Sequence, residues 1–316
     1  MECYNWAAWD PAEFLPGDSA SLNPASMRPN GSIKDGSTVI PEQEQVRLVF
    51  SRMNRSIGRL AKGSKSEDVH HFRTNSRRVE ALLAELLPET RNKKKLLKLL
   101  SKLRKRAGWV RDLDVELGFL KNLRVPDRQN HRAKLLELLA EEHVRRSKRL
   151  VKSFDADTVR ELRKRLRRAR SEVKLDGIEP LKLAWSRLPQ PGHAPLTEKT
   201  LHACRIAAKN SRYLAELATD SAKAKAFVEE LKRAQDEVGE WHDVMKLQER
   251  SAQLFGTVHD SALVAALQNI SRARFRRAAN TMSATLAAVS QRQPAASSAA
   301  AGRKATATEP AAMNAA

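Results

Sequence analysis

VHHFRTNSRR (69–78) and LHACRIAAKN (201–210) are two versions of one sentence. His70 aligns with His202, Arg73 with Arg205 and Arg77 with Lys209, all at an offset of 132 residues. Further along, GWVRDLDV (108–115) aligns with GEWHDVMK (239–246) at an offset of 131, matching Arg111 to His242 and Asp112 to Asp243. Two motifs that recur in the same order at nearly the same spacing indicate an internal duplication. The expectation is two similar four-helix halves, about 41–165 and 166–290.

A helix turns 100° per residue, so His70, Arg73 and Arg77 fall within about 60° of one another on one face. Val69, Phe72, Val79, Leu82, Leu83 and Leu86 gather on the opposite face. The second copy sets His202, Arg205, Lys209 and Arg212 against Cys204 and Leu214. Each copy thus buries one side and offers a cationic stripe on the other. Aligned cations repel one another unless anions lie against them. A solvated charged face is the ordinary meaning of such a stripe. The duplication outweighs it, because a merely solvated face has no need of histidine at one fixed point.

Working outward, candidate helices cover 41–62, 66–87, 91–123, 129–153, 155–187, 196–218, 221–255 and 259–290, separated by Gly, Pro and polar breaks. No segment alternates like a strand, so the fold class is all-α. In RNKKKLLKLLSKLRKR (91–106) nine of sixteen residues are basic and none is acidic. Arg91, Lys95, Lys98, Lys102 and Lys105 share one face there, and Leu96, Leu99, Leu100 and Leu103 share another. Arg160, Arg163, Arg167 and Arg170 align in a third stripe. Parallel basic stripes on packed helices would form an extended positive groove. Lysine point charges and forked arginine donors both suit phosphate oxygens. A linear polyanion engaging many of them would release counterions and bind with steep salt dependence.

The chain carries 58 Lys and Arg against 37 Asp and Glu, a formal charge of +21, and so attracts anionic partners. Residues 1–40 carry −3 and residues 291–316 carry +2, which leaves +22 on 41–290. The two ends lack apolar periodicity and read as flexible tails, the first with Tyr4, Trp6, Trp9 and Phe14 as an unexplained aromatic group. Aromatics make up 5% of the chain, thin for reading single-stranded nucleic acid by stacking, which makes nucleic acid the second-ranked partner. Two cysteines, Cys3 and Cys204, give no disulfide framework and fit a reducing cytoplasm. The first residues do not read as a secretory signal, and no stretch suits membrane insertion.

Enzymatic readings find little footing. His70 and His71 are adjacent, point about 100° apart on a helix and have cations nearby, which disfavours a metal site. Asp112 repeats as Asp243, but Asp114 becomes Met245, so a paired-carboxylate centre is not preserved. Asp112 and Asp243 read instead as carboxylates that orient neighbouring cations. No phosphate-binding glycine loop, dinucleotide fingerprint or nucleophile elbow is present, and no cofactor is expected.

These motifs resemble the CHAD family, the conserved histidine α-helical domain, over about residues 41–290. The first-half signature falls on Val69, His70, Arg73, Arg77 and Arg78. The second falls on Leu201, His202, Arg205, Lys209, Arg212 and Tyr213. Gly108, Arg111, Asp112 and Asp114 match a third segment, and Gly239, His242 and Asp243 a fourth. The sequence departs from the pattern at Glu80, Asn210 and Met245. The resemblance implies a pseudo-twofold helical bundle with a basic central channel that binds inorganic polyphosphate without catalysis. It also implies an association with polyphosphate granules. Arg78, Arg111 and His242 join the expected ligands on this ground. No fused triphosphate-tunnel domain is expected, so the chain resembles a stand-alone member.

Overall fold

Between Glu42 and Gln291 apolar residues recur at helical spacing, and the chain is helical nearly throughout. This computed structural model describes residues 42–292 except 127, 176, 191, 193–194 and 219–220. The readings made for 1–40 and 293–316 lie outside the described residues. The helices are α1 (Glu42–Leu60), α2 (Ser66–Leu86), α3 (Arg91–Asn122), α4 (His131–Lys152) and α5 (Ala156–Glu172). They continue as α6 (Pro180–Ser186), α7 (Glu198–Ala215), α8 (Ala222–Phe255) and α9 (Ala262–Gln291). Among the described residues there is no strand, and the all-α class holds.

The starts of the helices follow from local chemistry. Thr90, Asp155, Ser221 and Ser261 each accept a hydrogen bond from the backbone N–H three residues on. Thr197 and Thr200 form a reciprocal capping box at the start of α7. α2 has no side-chain cap; Glu67 and Asp68 in its first turn complement the helix dipole instead.

The single helix expected over 155–187 is two. Val173 is extended, Gly177 takes φ 70°, and Pro180 opens α6 at its first turn. A left-handed residue followed by a proline with no N–H to donate cannot continue an α-helix. The other seven expected helices match α1–α4 and α7–α9 to within a few residues.

Neighbours in sequence pack as hairpins: α1 on α2, α2 on α3, α3 on α4, α7 on α8, α8 on α9. α5 returns to cover α1 and α3, and the pairs α2–α7 and α3–α8 join the early helices to the late ones. Two apolar cores result. The larger gathers Phe50, Met53, Phe72, Leu82, Leu100, Leu214, Leu231 and Trp241. The smaller gathers Leu113, Leu120, Leu135, Leu139, Leu247, Leu263 and Leu267. α3 and α8 serve both, their first halves in the larger core and their second halves in the smaller. Gly108 and Gly239 sit near the middle of these two long helices, where each leaves one core for the other. Fully buried Phe72 holds the back of α2 in place, and its loss to alanine would cost about 3–5 kcal/mol.

No helix among the described residues is long and apolar enough to cross a membrane.

Candidate anion-binding site

α2 and α7 pack against each other with their apolar backs buried, Val69, Phe72 and Val79 on one, Leu201, Cys204 and Ala208 on the other. Arg73 reaches α3 at Gly108 and Arg205 reaches α8 at Gly239, while the charge of Arg73 acts across the pair on Arg205, and those of Arg73 and Arg77 on Lys209. His70 and His202 each lie one turn into their helix. Arg73, Arg77, Arg205 and Lys209 follow and are partly buried.

The two guanidiniums find similar seats. Arg73 lies against Gly108, where a Cβ would stand 3.8 Å from its guanidinium. Arg205 lies against Gly239, where a Cβ would stand 3.7 Å away. The bare helix backbone at a glycine lets a planar cation lie flat on it. Arg73 is then locked: its Nη1 donates to the Gly108 carbonyl at 3.0 Å and to Asp112 Oδ1 at 3.0 Å. Lys246 Nζ donates to the other oxygen, Asp112 Oδ2, at 3.3 Å. Asp112 is partly buried, and the charges of Arg73 and Lys246 hold its carboxyl below the usual range against that burial. Asp112 thus bridges Arg73 of α2 and Lys246 of α8.

Arg205 differs. Its Nε is buried without a hydrogen-bond partner among the described residues. Asp243 acts on it electrostatically, but that carboxylate lies 3.8 Å from His242 Nδ1. Burial lowers Arg205, and Arg73 adds to the effect. Arg77 is lowered by burial and then by Arg73, Arg205 and Arg104. Lys209 is pushed down to about 6 by burial and by Arg205, Arg77 and Arg73, with Asp243 opposing. These four side chains therefore form one cationic cluster at the α2–α7 seam, under-supplied with carboxylates. Burial and the nearby charges of Arg111, His71 and Arg73 push His70 down to about 4. Burial and His242, whose ring stacks on it at 5.4 Å, lower His202.

Other expected ligands are already engaged. Arg78 makes a two-pronged pair with Glu216, 2.7 Å from Nε and 3.3 Å from Nη2. Arg212 reaches the same carboxylate at 3.3 Å, and both arginines lie over the Tyr213 ring. Glu216 thus bridges α2 and α7. Arg111 donates to Ser66 Oγ at 3.2 Å, beside Asp114, which also takes His143 at 2.8 Å. Glu80, a departure from the family pattern, pairs with Arg104.

Arg91, Lys95, Lys98, Lys102 and Lys105 are all exposed along α3. Lys105 and, from α4, Arg146 stand over the exposed Trp109 ring. The end of this stripe at Lys105 thus lies beside α4. Arg163 of the third stripe lies against Gly58 of α1. One neighbour escaped the sequence reading: Lys246 holds Asp112, yet it aligns with Val115 in the repeat, so the duplication gave no sign of it.

A model of the CHAD domain matches residues 44–252, more than half the chain. The chain belongs to the CHAD family. The CHAD domain of the plant Ricinus communis, seen in a crystal structure, has a similar fold. Its TM-score is 0.56 and identity 18%, covering 78% of this chain and 92% of that one. PptA from Streptomyces chartreusis aligns with TM-score 0.50 and 16% identity, over 79% of this chain and 98% of that one. At such identities the likeness is one of fold. No curated protein matches the sequence. CHAD domains as a family are linked to polyphosphate binding, and CHAD is generally a binding domain.

Proposed function

We propose that this CHAD protein binds inorganic polyphosphate, without catalysis, at the cluster of Arg73, Arg77, Arg205 and Lys209. The observation that carries the reading is the convergence of these four cations from both copies of the repeated helix, three of them without a carboxylate in pairing distance among the described residues. A folded protein bears the repulsion of such a cluster when a bound anion relieves it. Polyphosphate supplies closely spaced charge without bases, which suits a site rich in cations and poor in stacking surfaces. The matching seats of Arg73 and Arg205 on Gly108 and Gly239 support two related half-sites facing one chain of phosphates. Binding of this kind would bring the protein to polyphosphate granules in the cytoplasm.

Competition between labelled polyphosphate and duplex DNA at physiological salt tests the ligand. Polyphosphate is expected to win at equal phosphate concentration; displacement by DNA would replace this reading with nucleic-acid backbone binding. Reversing Arg73 and Arg205 together to glutamate is expected to abolish polyphosphate binding while circular dichroism stays helical. Unchanged affinity in a folded double variant would remove the site assignment.

A further inference from the structure

We propose that the basic face of α3 ending at Trp109 is a second binding site, built from other residues than the α2–α7 cluster, and that it takes single-stranded nucleic acid, with phosphates along the lysines and one base against the indole.

The internal duplication points to a separate duty. The cluster is made of residues that recur in both copies, and the stripe does not recur. Residues 91–106 hold nine basic residues and no acid, whereas their counterparts at 222–237 hold four basic and four acidic residues. Trp109 aligns with Glu240, which pairs with Arg274. The first copy therefore carries a surface that the repeat does not require.

The ring is out of place for a packing residue. Trp241, the tryptophan of the second segment, is 1% exposed and packs in the larger core. Trp109 is 39% exposed and packs in neither core. Its company is cationic instead. The Arg146 guanidinium from α4 stands 4.5 Å from the ring centroid. Glu142 holds that guanidinium at 3.1 Å from Nε and 3.0 Å from Nη2. Lys105 Nζ stands 5.6 Å from the same centroid. Cations drawn to the π-system fix the indole in place, and the rest of the ring stays open to solvent.

From Lys105 the exposed cations run back through Lys102, Lys98 and Lys95 to Arg91, at intervals of three or four residues. Each interval is about 4.5–6 Å of helix rise, and the row is about 21 Å long. These positions lie on average about 100° around α3 from Gly108, where Arg73 is seated. Glu80 and Glu89, which reach this half of α3, serve Arg104 and Lys93 instead of the stripe. A row of that length suits a strand of several phosphates better than a single nucleotide. Lysines alone would take any polyanion; the indole at the end of the row adds a seat for a flat, stackable group. Stacking on one ring is tolerant of sequence, so a chain poor in aromatics can bind a strand in this way without reading its bases.

Fluorescence anisotropy of the full chain tests this with a labelled oligothymidylate of about 15 nucleotides and an abasic strand of equal length and charge. Wild type is expected to bind the base-bearing strand about tenfold more tightly. Trp109→Ala should abolish that preference by weakening the base-bearing strand alone, with the affinities for the abasic strand and for polyphosphate kept within about twofold. Trp109→Phe, which keeps a stacking face, should retain most of the preference. Lys98→Glu with Lys102→Glu should weaken both strands and flatten their salt dependence. Equal affinity of wild type for the two strands, or a preference that survives Trp109→Ala, would overturn the proposal. Loss of the polyphosphate reading would leave it standing, because the two sites are read by different ligands and different variants.

Discussion

Arg73 and Arg205 hold matching positions in the repeated motif and lie on matching glycines, yet they keep different company. Arg73 is bound twice, by Gly108 O and Asp112, and Asp112 is itself held by Lys246. Arg205 has a buried Nε with no partner, and Lys209 beside it has shed much of its affinity for a proton. Arg73 sits in a finished ion-pair network; Arg205 sits in an open one. A positioned cation already neutralised contributes alignment, whereas an uncompensated one contributes attraction. The repeat supplies both from one motif.

The widest separation between the copies should come from single truncations. Arg205→Ala is expected to weaken polyphosphate binding about 10- to 100-fold, the worth of a charge-assisted contact, while the unliganded protein melts no lower than wild type. Arg73→Ala should lose less affinity and lower stability by about 1–3 kcal/mol, because it strands Asp112; the pair is partly solvent-screened, which places it toward the low end. Titration of both variants and their thermal melts decide this, and equal behaviour would erase the distinction between the copies. Asp112→Asn should make the first copy resemble the second. Polyphosphate affinity is expected to rise about threefold to tenfold at a cost of about 1 kcal/mol in stability, read by the same two measurements.

A subtler mark of the open copy is the pH dependence of the unliganded fold. Lys209 has a folded value of about 6 against an ordinary 10.5, so between those limits the unfolded chain binds more protons. Stability must then rise with pH across that window. Glu116, whose burial pushes it up to about 7, acts oppositely between its ordinary 4.5 and 7, so the clean interval lies above pH 7. Melting temperature is expected to rise by a few degrees from pH 7 to 9 in wild type and to stay flat in Lys209→Met. The smallest effect should come from the outer stripe: Lys98→Glu with Lys102→Glu should lower affinity less than about threefold at physiological salt, since exposed charges are screened there. A larger loss would extend the site onto the α3–α4 face.

Much of this was legible in the residues. Apolar periodicity gave the helical class, and the burial of Val69, Phe72, Val79 and Leu82 made the opposite stripe of α2 face α7. The split at 173–180 escaped because Val173, Leu175 and Ile178 still pack on the core, so the pattern runs on through the turn that Gly177 makes. The site was half legible. Spacing shows which cations share a helix face, and Arg212 with Glu216 can be read at four residues' separation. Which face meets which helix is set by tertiary packing. That is why Arg78 meeting Glu216 emerges only in three dimensions.

Glu216 has a further consequence, in the order of events. Arg78 and Arg212 would otherwise oppose each other as α2 and α7 came together, and the newly made chain would need an anion from its surroundings to close the seam. A carboxylate carried on α7 does that service from within. The α2–α7 seam can therefore close at that end without an anion from outside the chain.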